Sequence, residues 1–570
     1  MKETYKQKLR SALENQGADP PTPGAYIIKG DVSGIQDFIF NIQSEGAARM
    51  LKARSFFIQI AVQLCIEKIK IAFAKNSPVV ISDSGGSFFI KCNNEPDSSE
   101  LYKLAGQVNQ DLMKYDLYIS ITAQPLNEWV NTMNLLKQEE EMQKFQRYSN
   151  GSDAFIPTNV EKNEKEAKNW KDFAKELSLS KGYTIVEDTT EFSGIKSDAV
   201  VLFGLKFQLK KENPEVSFDD PKSSLMNPLP VWRKENLHFK RLIEGQKNEE
   251  FELQKNKGIN YEAPKENSII DFDHLALQAK ERTGTDNLGI LKLDVDNLGK
   301  RFRDDFNTQQ KYKDASDAFS YFFGKHMKDF WKTQTFKGAD DNEHQYCDNI
   351  LIIYSGGDDC FLLGGWDAVL EFAQMLRDEF KDFGNGIQDE TKRPTFSAAI
   401  LLLQASTPVI QIGHLAEDAL NEAKQFSSKK NAVSLFGEIF TWGELKDMKK
   451  LVDTLHKLVK GDEKHPSESK ALLQKIRLSA RGYDALMKKV ELKKQVNFQK
   501  VWNLTWFIMR NVKKENKETV EREIVNKYHD AVLKALMTNE YSKALIYPAA
   551  ARWTELLTRK NESTCINTKK

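Results

Sequence analysis

The chain has 570 residues, 40% hydrophobic and 29% charged, and reads as a soluble globular protein too long for one hydrophobic core. Its 83 basic and 82 acidic residues leave a formal net charge of +1, which excludes bulk electrostatics as a basis for nucleic-acid binding. The charged opening MKETYKQKLRSALENQ is not a signal peptide, and no apolar run approaches the ~20 residues that span a bilayer. No membrane partner and a cytoplasmic location are therefore expected.

Residues 1–24 read as a polar tail ending in the turn-rich GADPPTPGAY. A first unit over residues 25–125 follows. YIIKGDVSGIQDFIF is a strand running into a turn and helix, and AARMLKARSFFIQIAVQLCIEKIKIAF has apolar residues at helical spacing. PVVISDSGGSFFIKC is a strand, a Gly-Gly turn and a second strand; a helix, SELYKLAGQVNQDLMKYD, and a strand, LYISITAQPL, close the unit. That order is ferredoxin-like, four antiparallel strands with helices on one face. Residues 126–280 mix charged helical stretches such as NEKEAKNWKDFAKELSLS with strand-like AVVLFGLKFQLK and Pro-rich NPLPVW, and read as a connecting α/β domain.

A second unit over residues 281–442 has the same grammar. LGILKLDVDNLGKRF is strand, turn and helix start, and ASDAFSYFFGKHMKDFWKT is helical. NILIIYSGGDDCFLLGG is a hairpin in which Gly356-Gly357 reads as the tight turn. A helix, a strand (PTFSAAILLLQA) and the helix HLAEDALNEAKQF complete it. Residues 443–570 read as a helical bundle: Leu445, Met448, Val452, Leu455 and Val459 form one stripe, and SARGYDALMKKVEL, VWNLTWFIMRNV and HDAVLKALMTNE continue the pattern. The expected class is thus α+β, with an internal duplication. Asp31 and Asp294 end corresponding strands, and Gly85-Gly86 corresponds to Gly356-Gly357; after its glycines the first copy has Ser87-Phe88 where the second has Asp358-Asp359.

Carboxylates at a hairpin tip between dry strands call for cations. Asp294 and Asp296 are two apart on a strand and share a face, and Asp358 and Asp359 approach from the neighbouring strand. Such crowding repels unless metal intervenes, and hard oxygen ligands suit Mg²⁺ or Mn²⁺. Two such ions support phosphoryl transfer. Asp294, Asp358, Asp359 and Asp296 are therefore the expected metal ligands. Asp296, at the strand end, also suits a helix cap. Nucleotide-binding candidates are Ser355, Gly356 and Gly357 beside them, and Lys424, Lys429 and Lys430 after the last palm helix, where lysine also suits the helix dipole. In the first unit they are Ser33 and Gly34 at a strand-to-helix turn, which a plain helix cap explains equally well, Asp83, which also suits a polar residue flanking a hairpin, Gly85, Gly86 and Arg49. Arg49, Lys52 and Arg54 together read as a solvated helix face rather than a phosphate clamp. The five cysteines are scattered without a C-x-x-C pair, which argues against a zinc ribbon or a disulfide framework. His529-Asp530 reads as helix surface.

GDVSGIQDFIF, KARSF, LKLDVDNLG, YSGGDD and AKQFSSKKNAVSLFG together resemble the large polymerase/cyclase subunit of type III CRISPR effector complexes. The second unit alone is also similar to diguanylate cyclase domains; the duplication disfavours a stand-alone cyclase. The resemblance implies two facing palms, a linker domain and a C-terminal bundle, with other effector subunits, guide RNA and target RNA as partners. It implies RNA-triggered synthesis of a nucleotide second messenger from ATP, usually cyclic oligoadenylate. It places catalysis on Asp294, Asp358 and Asp359, with the acceptor nucleotide on the first palm. Many relatives carry an HD nuclease domain and a four-cysteine zinc site; neither is visible in this sequence, so no DNase activity is expected. Some relatives join ATP to S-adenosylmethionine, and Asp83 beside the first Gly-Gly turn suits a cationic acceptor. The alternative from another class is a non-catalytic scaffold, which the carboxylates disfavour.

Overall fold

The first sheet follows from alternation and turn chemistry. In the computed structural model, β1 (Tyr26–Ser33), β2 (Val79–Ser84), β3 (Ser87–Cys92) and β4 (Tyr118–Pro125) pair antiparallel in the order β2-β3-β1-β4, the ferredoxin-like order expected. The structure describes residues 2–14, 23–42, 46–146, 164–218, 229–236, 238–240, 266–460, 470–479, 520–538 and 542–559. The helix Trp129–Gln146 packs on β4 and β1, so the first palm runs past residue 125. The helix Ala47–Ala72 is buried on nearly all sides. It is buried on several faces, charged residues included, because it lies between its own sheet, the connecting unit and the second palm.

The connecting unit places the helix Glu164–Leu179 beside β5 (Gly182–Glu187), β6 (Gly194–Ile195), β7 (Ala199–Leu202), β8 (Leu205–Lys210) and β9 (Val216–Ser217), in the order β6-β7-β8-β5-β9. Phe203 and Gly204, at φ 60° and 73°, make the two-residue turn that joins β7 to β8.

The second palm contains β10 (Asn287–Val295), a side hairpin of β11 (Thr335–Lys337) and β12 (Glu343–Gln345), then β13 (Ile350–Gly356), β14 (Asp359–Gly365), β15 (Phe396–Gln404), β16 (Ala432–Leu435) and β17 (Glu438–Thr441). Its sheet runs β13-β14-β10-β15-β16-β17, and its first four strands repeat the order of the first palm. The helix Val409–Gln425 carries the chain from β15 to β16, which lies parallel to it.

Each palm covers the other's exposed sheet edge. From the helix Ala47–Ala72, Lys52 Nζ donates to the Ile352 carbonyl at 3.3 Å and Ser55 Oγ to the Ile353 carbonyl at 2.7 Å, both on edge strand β13. From the helix Gln309–Tyr321, Ser316 Oγ lies 2.6 Å from Ser82 Oγ, and Ser320 Oγ donates to Ser84 Oγ at 3.3 Å, both on edge strand β2. Two unpaired edges are thereby hidden. This overturns the solvated-face expectation for two residues. Lys52 and Arg54 are each 1% exposed, and Arg54 Nη1 donates to the carbonyls of Phe38 and Asn41 at 2.9 and 2.6 Å.

The polar tail is not a tail. Lys2–Glu14 is a helix that buries Leu9, Ala12 and Leu13 against the second palm; Lys6 pairs with Asp382 at 2.6 Å and Lys8 with Asp317 at 2.5 Å. At the other end, Trp442–Lys460 buries the predicted stripe Leu445, Met448, Val452, Leu455 and Val459. It packs on the helix Ser542–Leu557, which also meets Val520–Thr538. The helices expected over 479–492 and 501–512 lie outside the described residues, apart from Ser479. No described helix is long and apolar enough to cross a membrane.

Candidate active site between two palms

The hairpin tip is set one residue later than the sequence suggested. β13 runs through Gly356, whose strand partner is Asp359, so the turn is Gly357–Asp358. Gly357 has φ 63° and Asp358 is not among the positive-φ residues, which is the II′ pattern. In the first palm Gly85 and Gly86 are both turn residues, at φ 62° and 87°, the I′ pattern. Strand register corrects the alignment of the two copies: Asp294 faces Asp359 across β10 and β14, and Asp31 faces Ser87 across β1 and β3. Gly86 and Ser87, not Ser87 and Phe88, thus stand where Asp358 and Asp359 stand.

Asp294, Asp358 and Asp359 come together. Burial, then repulsion from Asp294, pushes the Asp358 carboxyl up to about 6. Burial, then repulsion from Asp358 and Asp294, pushes Asp359 to about 8. The Asp358 carbonyl accepts from the Val295 amide at 2.9 Å, tying the turn to the end of β10. Lys424 Nζ lies 2.7 Å from Asp294 Oδ2. The Tyr354 hydroxyl is buried without a hydrogen-bond partner and feels the charges of Asp359 and Asp294. Buried, mutually repelling oxygen donors beside an orphaned hydroxyl fit a hard divalent cation. As placed, no three His, Cys, Asp or Glu side chains among the described residues converge as a finished cage.

Asp296 goes elsewhere. It follows the end of β10 and is 2% exposed. Its carboxylate accepts from Thr395 Oγ1 and Ser397 Oγ at 2.7 Å each and from the Asn431 amide at 3.0 Å. The rule that residues two apart on a strand share a face stops applying where the strand stops.

A cavity of about 540 Å³ opens between the palms, a size that suits a nucleotide. Asp83, Gly85 and Gly86 of the first hairpin and Ser355, Gly356 and Asp359 of the second all line it. The tips nearly touch: a Cβ on Gly357 would sit 3.0 Å from Ser84 Oγ. Asp294, Asp358, Gly357, Ser33, Gly34, Arg49, Lys424 and Lys430 are not in its wall. Gly34 is the left-handed residue before the six-residue helix Ile35–Phe40; a Cβ there would meet the Asp116 carbonyl at 2.7 Å. Arg49 directs its charge to Asp271, and Lys430 to Asp296.

Sequence reasoning missed Lys325 and Lys328, which line the cavity on and just after a π-helical segment, Phe322–His326. No local signal marks them. It also missed Lys292 and Lys29, although the repeated K-x-D-V at both strand ends was there to be seen.

Residues 287–434 match the family model for the Cas10/Cmr2 second palm domain, and residues 25–175 that for Csm1 subunit domain B. The chain is 26% identical over 491 residues to a protein from Methanocaldococcus jannaschii named as the CRISPR system single-strand-specific deoxyribonuclease Cas10/Csm1 of subtype III-A. That match covers 73% of this chain and 59% of the relative. Two segments of the chain thus match domains of Cas10/Csm1 large subunits of type III CRISPR systems. It spans a little over half the length of the curated relatives it matches. Two solved structures share the fold. The Csm1-Csm4 cassette in complex with one ATP matches with TM-score 0.64 and 17% identity, covering 96% of this chain and 72% of the other. The cassette in complex with cA4 matches with TM-score 0.64 and 18% identity, covering 94% and 70%.

Proposed function

We propose that this chain is a Cas10/Csm1-type large subunit and a nucleotidyltransferase that makes cyclic oligoadenylate from ATP by two-metal phosphoryl transfer, triggered by target RNA bound to the guide of its effector complex. One observation carries the reading. The tip-to-tip palms leave a nucleotide-sized cavity into which Asp359 of the carboxylate hairpin opens. Similar Csm1-Csm4 structures hold ATP and cA4, and a Csm4-like subunit is the partner they suggest.

Asp294, Asp358 and Asp359 would hold Mg²⁺ or Mn²⁺, which when bound supplies Lewis-acid stabilisation of the phosphoryl group and activates the attacking hydroxyl. The protein's own part is placement. The β13–β14 turn fixes Asp358 and Asp359 opposite Asp294. The glycine-rich backbones of both hairpins allow close approach of phosphates, and the first palm positions the acceptor for in-line attack. Lys325 and Lys328, which line the cavity, would offset phosphate charge.

A second reading rests on one residue of the cavity. Asp83 lines it beside the first hairpin, a charge that suits an acceptor carrying positive charge, such as the sulfonium and ammonium of S-adenosylmethionine. The assembled complex, given labelled ATP, Mg²⁺ and target RNA with and without S-adenosylmethionine, separates the readings by product mass. Asp358→Ala with Asp359→Ala is expected to reduce synthesis by about 100-fold or more while assembly persists. Full activity in that variant would refute the site.

A further inference from the structure

Both palms carry the same four charged side chains in the same places. On the central strand of each, a lysine stands two residues before the aspartate: Lys29 and Asp31 on β1, Lys292 and Asp294 on β10. The helix after the fourth strand supplies a glutamate and a lysine, Glu140 and Lys144 in the first palm, Glu417 and Lys424 in the second. Lys29 pairs with Glu140 and Lys292 with Glu417. Lys144 Nζ lies 2.6 Å from Asp31 Oδ2, and Lys424 Nζ 2.7 Å from Asp294 Oδ2. The difference is on the hairpin opposite, where Ser87 faces Asp31 but Asp359 faces Asp294.

We propose that Lys424 is a positioning residue that serves as the resident counter-cation of Asp294 and competes with a divalent ion for the same carboxylate oxygen. The inference rests on reading the second palm as a metal site. Lys292, 3% exposed and paired with Glu417, pins the helix to the strand. Lys424 and Asp294, 23% and 27% exposed, remain open to solvent ions. A dication can be ligated by Asp358 and Asp359 as well as Asp294, whereas Lys424 pairs directly with Asp294 and reaches Asp358 and Glu417 only through space. The dication therefore wins in this palm. Lys424, released, stays tethered to the same helix, beside the place where phosphate charge arrives. In the first palm Lys144 holds both Asp31 and Glu140, and the hairpin offers Gly86 and Ser87 in place of carboxylates. There the lysine is never displaced. The first palm keeps the counter-ion and takes no metal.

The test is titration of the full chain with Mn²⁺ without nucleotide, reading free Mn²⁺ by electron paramagnetic resonance. Lys424→Met is expected to bind Mn²⁺ about three- to tenfold more tightly than wild type, because the competitor is gone. Lys424→Arg, and Lys429→Met as a control for loss of a nearby exposed charge, should stay within about twofold. Lys144→Met should leave the number of bound ions unchanged. Unchanged or weaker binding by Lys424→Met, or equal tightening by Lys429→Met, overturns the proposal. Lys424→Gln repeats the test should the methionine variant fail to fold. Asp358→Ala with Asp359→Ala separates the two levels of argument. If that variant keeps the ion, or wild type binds none, the metal site falls and this inference with it. If it loses the ion while Lys424→Met behaves as wild type, only the role of Lys424 falls.

Discussion

Asp296 accepts three hydrogen bonds from Thr395, Ser397 and Asn431 while 2% exposed; Asp358 is buried among like charges. Truncating the first leaves buried donors unpaired, and truncating the second removes repulsion. Asp296→Ala should therefore cost about 2–4 kcal/mol of stability, whereas metal-free Asp358→Ala should melt at or above the wild-type temperature. Thermal melts in chelator check both, and an Asp296→Ala chain as stable as wild type would refute the network's importance. The two aspartates show what a sequence can reveal. Asp294, Asp358 and Asp359 were legible because strand pairing brings a repeated D-V strand end beside a Gly-Gly-Asp-Asp turn. The partners of Asp296 were not, since Thr395 and Ser397 are neutral residues on a strand about a hundred positions later. The one-residue slip in the turn has a similar cause: Gly-Gly looks like a whole turn, and only register shows Gly356 still paired.

At the scale of elements, the amphipathic helix Trp442–Lys460 could be read directly because one face is buried and the other wet. The helix Ala47–Ala72 could not, because charged residues normally mark a surface and its partner strand β13 lies 300 positions away from Lys52. Burial, then repulsion from Lys328, lowers the Lys52 ammonium to about 7. A base with a depressed folded-state value weakens the fold while protonated. Below pH 7 both states carry the proton and the full burial cost is present; between 7 and about 10 the unfolded chain alone binds it, so stability rises with pH. Lys52→Met should accordingly be more stable than wild type by about 1–3 kcal/mol at pH 6, after allowing for the lost bond to Ile352. The gain should shrink towards pH 10. Denaturant titrations at pH 6 and pH 9 measure it, and a gain that grows with pH would contradict the burial argument.

At the scale of the whole molecule, the palms act as a pair, each shielding the other's open edge, with Phe40 packed edge-on against Phe361 across the interface at 4.8 Å. The N-terminal helix belongs to this arrangement too. Deleting residues 1–14 would strip Leu9 and Leu13 from the second palm and should cost about 3–5 kcal/mol, read as a lower melting temperature; an unchanged melt would refute it. The sharpest test of the facing geometry lies where the hairpins meet. Gly357 is left-handed at φ 63°, and a Cβ there would stand 3.0 Å from Ser84 Oγ and 3.7 Å from the Gly85 amide. Gly357→Ala therefore combines about 1 kcal/mol of backbone strain with a push that parts the tips. Synthesis depends on where the first palm sets the acceptor, and small misplacements reduce rate steeply. The expectation is a fall in nucleotide synthesis of about tenfold or more, with only a small drop in melting temperature. Ser84→Gly removes the atom the new methyl meets, so in the double variant it should restore much of the rate while leaving the strain. A double-mutant cycle on rate and on stability distinguishes the two contributions. If Ser84→Gly restores nothing, the lost activity comes from the turn alone, and the contact between the two palms plays no part in catalysis.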